Sequence, residues 1–350
     1  MYIYSLLVFI VILFMIISSY YHVNTQYIKV SRNLTIAVCI ILVLLAAFRT
    51  KTVGTDTPAY ILDYKNLHYY SFKSLLLRYE GYGGYYILSK LFDNLGLPVT
   101  IWFGFVEAVY VSSMYFFIKK YSYNPLLSIL VFITCGLFMF SLAGMKQTLA
   151  MGFMMYSFLN FIDKKYIYSI IFAALAFTCH ATVLIMLFGY VLYFFRNSKS
   201  FYYIVIGCII TVLIASEWLL KSMVISLGNE HYERYLNFKD TYTASTLIFY
   251  ITIVAIALFG YRKYSKLSPS TAKITLGSSI IACALQSLTS ILPDAFRLAY
   301  LYTPFFMILI SNSISTIKNS DNRNTVNLAM ITCLVVFFLY TTRNTPFHFV

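Results

Sequence analysis

The stretch Leu34-Thr-Ile-Ala-Val-Cys-Ile-Ile-Leu-Val-Leu-Leu-Ala-Ala-Phe48 carries almost no polar side chain, and Arg49-Thr-Lys-Thr-Val-Gly-Thr-Asp-Thr-Pro-Ala-Tyr60 follows it without a gap. An apolar run that ends on an arginine describes a helix leaving hydrocarbon at Phe48. What comes next is loop chemistry. Gly54 permits a tight bend, Asp56 is a residue type that caps helices, and Pro58 suits the first turn of a new helix.

Outward from this point the same alternation recurs. Apolar segments fall at roughly 2–20, 34–48, 99–118, 124–142, 145–162, 166–179, 181–195, 201–219, 245–262, 273–292, 297–313 and 325–342. The chain is 60% hydrophobic and 11% charged, where soluble domains sit near half and a quarter. The expected fold is therefore all-α, a polytopic transmembrane helical bundle of about twelve membrane segments forming one integral membrane domain over 1–350. Met1 to Tyr20 lacks a basic leader and a small-residue cleavage site, so it reads as a retained first span. Two connections are long. Residues 49–98 include an amphipathic portion around Tyr82 to Leu95. Residues 221–245 contain Gly228-Asn-Glu-His-Tyr-Glu-Arg-Tyr235 and read as a folded lid.

Charge orders these segments. The formal net charge is +14, but no basic stripe or basic domain points to nucleic acid. Fourteen of the 26 Lys and Arg lie in six short connections that hold only Asp163 and Asp321 of the 12 acids. These connections carry Lys29 and Arg32, Lys119 and Lys120, Lys164 and Lys165, Arg196 and Lys199, Arg262 to Lys273, and Lys318 and Arg323. Such segregation marks a cytoplasmic and an external face. It requires 166–195 to be a hairpin with His180 at its external tip, and it puts both chain ends outside. The six cysteines stand singly in apolar runs, without CxxC spacing, and read as small core residues.

Ionisable residues near span ends are costly unless a polar cavity receives them. Five clusters qualify, all on the external face: Arg49 with Asp56; Arg78-Tyr79-Glu80 before Gly83-Gly84; Lys146-Gln147; His180; and Asp294 with Arg297. Each has a plainer reading. Arg49 and Lys146 can snorkel to headgroups, Asp56 can cap a helix, His180 can be an interfacial residue, and Arg297 can pair with Asp294. Gln147 gains nothing from lipid, which favours function at that pair. Glu107, inside a segment, reads as a bundle hydrogen bond. Taken together, Arg49, Lys146 and Arg297 suit an anion such as pyrophosphate, stabilising charge that builds on a leaving group. His180, Asp56 or Glu80 can accept a proton from an attacking hydroxyl. Nothing resembles a nucleotide loop, a zinc site or a Ser-His-Asp set. The expectation is no cofactor and a lipid-linked, already activated substrate.

At these residues the chain resembles the EpsG-like family of Wzy-type polysaccharide polymerases. Phe48-Arg49, Val53-Gly54-Thr55-Asp56 and Tyr60 look like that family's first motif. Lys146-Gln147-Thr148-Leu149-Ala150 with Ser157, Ala176 to Thr182 around His180, and Arg297 with Tyr300 and Tyr302 look like the others. There are two departures. The family usually has Arg where Lys146 stands, which keeps charge but not bidentate binding. Tyr82-Gly83-Gly84-Tyr85 replaces its Glu-Pro-Gly-Tyr.

The resemblance implies a glycosyltransferase of the bacterial plasma membrane. It would polymerise undecaprenyl-pyrophosphate-linked repeat units into O-antigen, capsule or exopolysaccharide outside the cytoplasm. Arg49, Lys146, Gln147, Arg297 and Tyr300 would bind substrate, His180 would act as base, and Asp56 would position it or the acceptor sugar. Partners would be those lipid-linked glycans, membrane lipids and a chain-length regulator protein. A flippase for the same units, an O-antigen ligase and a membrane acyltransferase stand as alternatives. A flippase should spread charge along a central path and carry internal repeats, and neither is visible here.

Overall fold

The computed structural model describes residues 2–20, 27–79, 81–211, 214, 244–290, 295–345 and 347–348. Glu80, Asp294 and residues 221–243 of the second long connection lie outside the described residues. What is described is helices and their connections, with no sheet.

Among the described residues, five helices are long and apolar enough to cross a membrane: Tyr2–Tyr20 (α1), Tyr27–Ala47 (α2), Val99–Tyr121 (α6), Ser245–Leu267 and Ser320–Thr342. A sixth span is available if Pro125–Thr134 (α7) and Leu137–Ala143 (α8), bent by 48°, count as one. The all-helical, membrane-protein class holds; among the described residues the full-length spans do not reach the expected twelve, for local reasons. Gly136 sits at φ +85° in the left-handed region that glycine alone enters freely, so the chain turns there and α8 departs at an angle. Pro304 opens the helix Pro304–Ser315, so the expected segment 297–313 divides into a short helix Phe296–Ala299 and this second one. Pro269–Ser287 is a full helix, but it buries Thr275, Ser278, Ser279 and Gln286 among its apolar residues.

Two compact units emerge. The first is Met1–Leu184 with Leu334–Val350; the second is Ile185–Cys333. In the first unit α2 packs on α6, and α6 packs on Met145–Ile162 (α9), which packs on Tyr166–Cys179 (α10). Every residue of α7 is buried, as a helix apolar on all sides requires. Ser157 of α9 donates to the Ser169 carbonyl of α10 at 2.6 Å, a polar tie between two otherwise apolar surfaces.

The basic connections gather at helix ends. Arg32 donates to the Lys119 carbonyl at 3.1 Å, and Lys120 pairs with Asp163. In the second unit, Ser270 donates to Asn197 Oδ1 at 2.8 Å and Lys273 to the Ser198 carbonyl at 3.4 Å. Thr316 there donates to the Gly260 carbonyl at 3.3 Å.

At the other end of the first unit lie the connection after α2, the helices Thr57–Asn66 (α3), Phe72–Arg78 (α4) and Gly83–Asn94 (α5), and the α8–α9 junction. Ser71 caps α4, accepting from Ser74 N. α5 packs against α10 as well as α3, α4 and α6. This packing carries residues from distant parts of the sequence to one place.

Candidate functional site

Arg49 follows the end of α2 and turns inward; only 2% of it is exposed. Its guanidinium donates to the Ala46 carbonyl at 2.6 Å, to Thr57 Oγ1 at 3.4 Å and to Met145 Sδ at 3.1 Å. It also lies 4.3 Å from the centre of the Phe103 ring, a favourable seat for a cation. Thr57 in turn donates to the Val53 carbonyl at 2.6 Å and faces the Leu142 carbonyl at 3.2 Å. Arg49 thus ties the end of α2, the start of α3 and the start of α9 together. Gly54 completes the joint: at φ +84°, any Cβ it carried would stand 2.1 Å from the Leu142 oxygen. The loop can lie against the end of α8 only because this residue is glycine.

Asp56 occupies the N-cap position of α3 but makes no capping bond. Its Oδ1 accepts from Thr55 Oγ1 at 3.1 Å. Asp56, Tyr60 and Asp63 follow at steps of four and three, so they share one face of α3.

That face looks toward Lys146, in the first turn of α9. The ammonium is ringed by aromatic faces: Tyr86 at 4.7 Å, Tyr82 at 4.9 Å, Tyr60 at 5.7 Å and Tyr79 at 6.0 Å from the ring centres. Among the described residues no carboxylate comes within 4.0 Å of it. The negative charges that act on it are Asp63 and then Asp56.

Asp63 also fixes the ring. Tyr86 donates to its Oδ2 at 2.6 Å and Tyr79 to its Oδ1 at 3.5 Å. The two tyrosine rings stack at 3.5 Å and 15°. Burial, joined by Asp63, pushes both phenols above their ordinary pKa, so they stay protonated and keep donating.

His180 also neighbours Tyr82, ring centres 5.1 Å apart. It ends α10 in an extended conformation, φ −164° and ψ 114°, and Thr182 Oγ1 lies 2.7 Å from its Nδ1. Tyr82, in the departing Tyr-Gly-Gly-Tyr stretch, therefore touches both the cation of the second motif and the imidazole of the third. Gln147 is buried beside Lys146.

The remaining sequence candidates belong to the second unit. Arg297 lies 5.9 Å from the Phe296 ring centre, and Tyr300 packs edge-on to the same ring at 5.7 Å. Tyr302 is buried and donates to the Ile185 carbonyl at 2.7 Å.

A cavity of about 690 Å³ lies alongside the 51–58 loop. Its walls include Lys51, Thr52, Thr55, Pro58, Leu142 and Ala143. Among the described residues no group of His, Cys, Asp and Glu is placed to hold a metal ion.

Sequence reading missed Asp63 and Tyr86 as members of the site, and named Tyr79 only as the middle of the Arg78-Tyr79-Glu80 cluster. One signal was available: Asp63 is one further helical step along the face that starts at Asp56 and Tyr60. Tyr86 gave none, and neither did the seat of Tyr79 beside Lys146, because both depend on the turn between α4 and α5.

The model of the EpsG family matches residues 32–350, taking in every residue of the site. No curated protein and no solved structure matches the chain.

Proposed function

The chain belongs to the EpsG family, and on that premise we propose that it is a Wzy-type polysaccharide polymerase of the bacterial plasma membrane. It transfers a growing glycan from its undecaprenyl pyrophosphate to a hydroxyl of the next lipid-linked repeat unit, outside the cytoplasm. The observation that carries this reading is the lysine cage. Lys146 is a half-buried cation held by four tyrosine faces, with no carboxylate within 4.0 Å among the described residues. Its N–H groups are thus available to an anion, and the rings lower the local dielectric that strengthens such a contact.

The reaction balances with groups near that cage. The acceptor hydroxyl oxygen attacks the anomeric carbon of the donor chain. The bond from that carbon to the pyrophosphate oxygen breaks, and its electron pair leaves with the pyrophosphate, where Lys146 meets the new charge. His180, one tyrosine away, takes the hydroxyl proton. Asp56 orients the reactants, and Gln147, only 2% exposed, acts by holding the head of α9 around Lys146. Arg49, enclosed by protein, contributes by holding the loop and the head of α9 in place. Arg297 and Tyr300, within the second unit, are substrate-binding candidates on the ground of the family resemblance and not of their placement.

Chain length on the cell surface tests it. Lys146→Ala, His180→Ala and Arg297→Ala should each remove long polymer, leaving single repeat units at an unchanged protein level. Lys146→Arg should retain polymer, since the charge and its seat on the rings persist. Normal chain length in Lys146→Ala would defeat the reading.

A further inference from the structure

Glu107 has no part in the chemistry just described, yet a carboxyl group inside an apolar segment is costly unless something there uses it. Only 2% of its surface is exposed. It lies in α6 four residues past Phe103, so the two share one face of that helix. Phe103 is the ring that seats the Arg49 guanidinium. Glu107 therefore stands one helical turn along α6 from that seat.

Hydrogen bonding alone does not account for its burial. One carboxyl oxygen meets the Ser141 hydroxyl near the end of α8. That hydroxyl has a single hydrogen and also donates to the Phe138 carbonyl at 2.7 Å. The other oxygen, Oε1, has no hydrogen-bond partner among the described residues. A carboxylate so placed needs an opposite charge. The cation that acts on it is Arg49, and Glu107 is the foremost charge acting on Arg49 in return. The two do not come within 4.0 Å of each other. Both are enclosed, however, and in surroundings of low dielectric the attraction reaches across such a gap.

The same carboxyl touches the other side of the joint that Arg49 holds. Ser141 precedes Leu142, whose carbonyl faces Thr57 and the close approach of Gly54. α8 ends at Ala143, and α9 begins at Met145 after the single residue Gly144. Little slack remains between Ser141 and Lys146. We propose that Glu107 is a positioning residue of the lysine cage. Its carboxylate is the buried counter-charge that holds Arg49 and, through Ser141, the end of α8, and so sets where α9 presents Lys146 to the tyrosine rings. That this placement serves a reaction rests on the polymerase reading; the pairing with Arg49 does not.

Thermal unfolding of the purified full chain in detergent tests the pairing. Glu107→Gln keeps the volume and a hydrogen bond to Ser141, so a purely hydrogen-bonding role would leave the melting temperature unchanged. Loss of a counter-charge should lower it by about 5 °C or more, because Arg49 stays buried without its partner. Arg49→Gln should lower it likewise. The double variant should melt higher than Arg49→Gln alone, since no carboxylate is then left stranded. A double variant that melts at or below Arg49→Gln overturns the inference, as does an unshifted Glu107→Gln. If a single variant does not accumulate, recovery of protein in the double variant reads the same rescue, and no recovery overturns it.

Polymer length on cells reads the placement. Glu107→Gln should lose long polymer as Lys146→Ala does, compared at equal protein level. Normal polymer in Glu107→Gln beside short polymer in Lys146→Ala overturns the positioning role alone. Normal polymer in both defeats the polymerase reading, and the order of melting then decides the pairing by itself.

Discussion

Arg49 shows how much one residue's role depends on distant chain. At the end of an apolar run it is equally suited to headgroups, to a ligand or to protein. Phe103 and Met145 decide among these, and neither is near it in sequence. With 2% of its surface exposed, it is neither at the headgroups nor open to solvent. A lysine there would keep the charge but lose the planar fork that reaches Ala46, Thr57 and Met145 together. Arg49→Lys should therefore cost about 2 kcal/mol, the scale of a charged hydrogen bond lost in a buried site. Thermal unfolding in detergent reads this, and an unshifted melting curve would mean that the fork does not hold the joint. Asp63 tests the other side of the cage. Asp63→Asn leaves an acceptor for Tyr86 but removes the charge, so stability should stay within about 1 kcal/mol while polymer length falls. A variant with full-length polymer would show that the charge beside Lys146 is idle.

Among elements, helices read from sequence most reliably where they are long and uninterrupted. The apolar runs at 2–20, 99–118, 245–262 and 325–342 lie within α1, α6, Ser245–Leu267 and Ser320–Thr342. The reading loosened where one residue redirects the chain. The run 124–142 is continuous in hydropathy, and only the backbone of Gly136 shows that it is two helices. That bend sets where α8 ends, hence where Leu142 meets Gly54 and where α9 begins with Lys146. Replacing Gly136 by Ala forces an L side chain into the left-handed region, at a cost of about 1–2 kcal/mol. The expected result is a lower melting temperature together with shorter polymer, because the misplaced junction carries Lys146 with it. A Gly136→Ala protein of normal stability would mean that the 48° bend is not held at this residue. The tyrosine cage was illegible for a related reason. Its four rings come from α3, from α5 and from the turn between α4 and α5, and no period in one helix encodes their meeting.

For the whole molecule, charge placement was the most legible feature, because it is compositional and survives errors in helix ends. The six basic connections group by charge alone. Within the first unit, contacts join three of them at one set of helix ends, through Arg32 with Lys119 and Lys120 with Asp163. Within the second, the connections at 196–199 and 262–273 meet through Asn197 with Ser270 and Ser198 with Lys273. The cage and the 51–58 loop belong to the opposite helix ends of the first unit. If the positive-inside rule governs insertion, that loop faces outward, as polymerisation outside the cytoplasm demands. A membrane-impermeant maleimide on intact cells reads the orientation directly, with Cys208, Cys283 and Cys333 replaced by Ser. Lys51 and Lys164 are both exposed, so accessibility alone does not bias the result. Lys51→Cys should react in intact cells, and Lys164→Cys only after the membrane is opened. The reverse pattern would put Lys146 and His180 on the cytoplasmic side, where a lipid-linked unit has yet to be flipped, and the polymerase reading would fall with it.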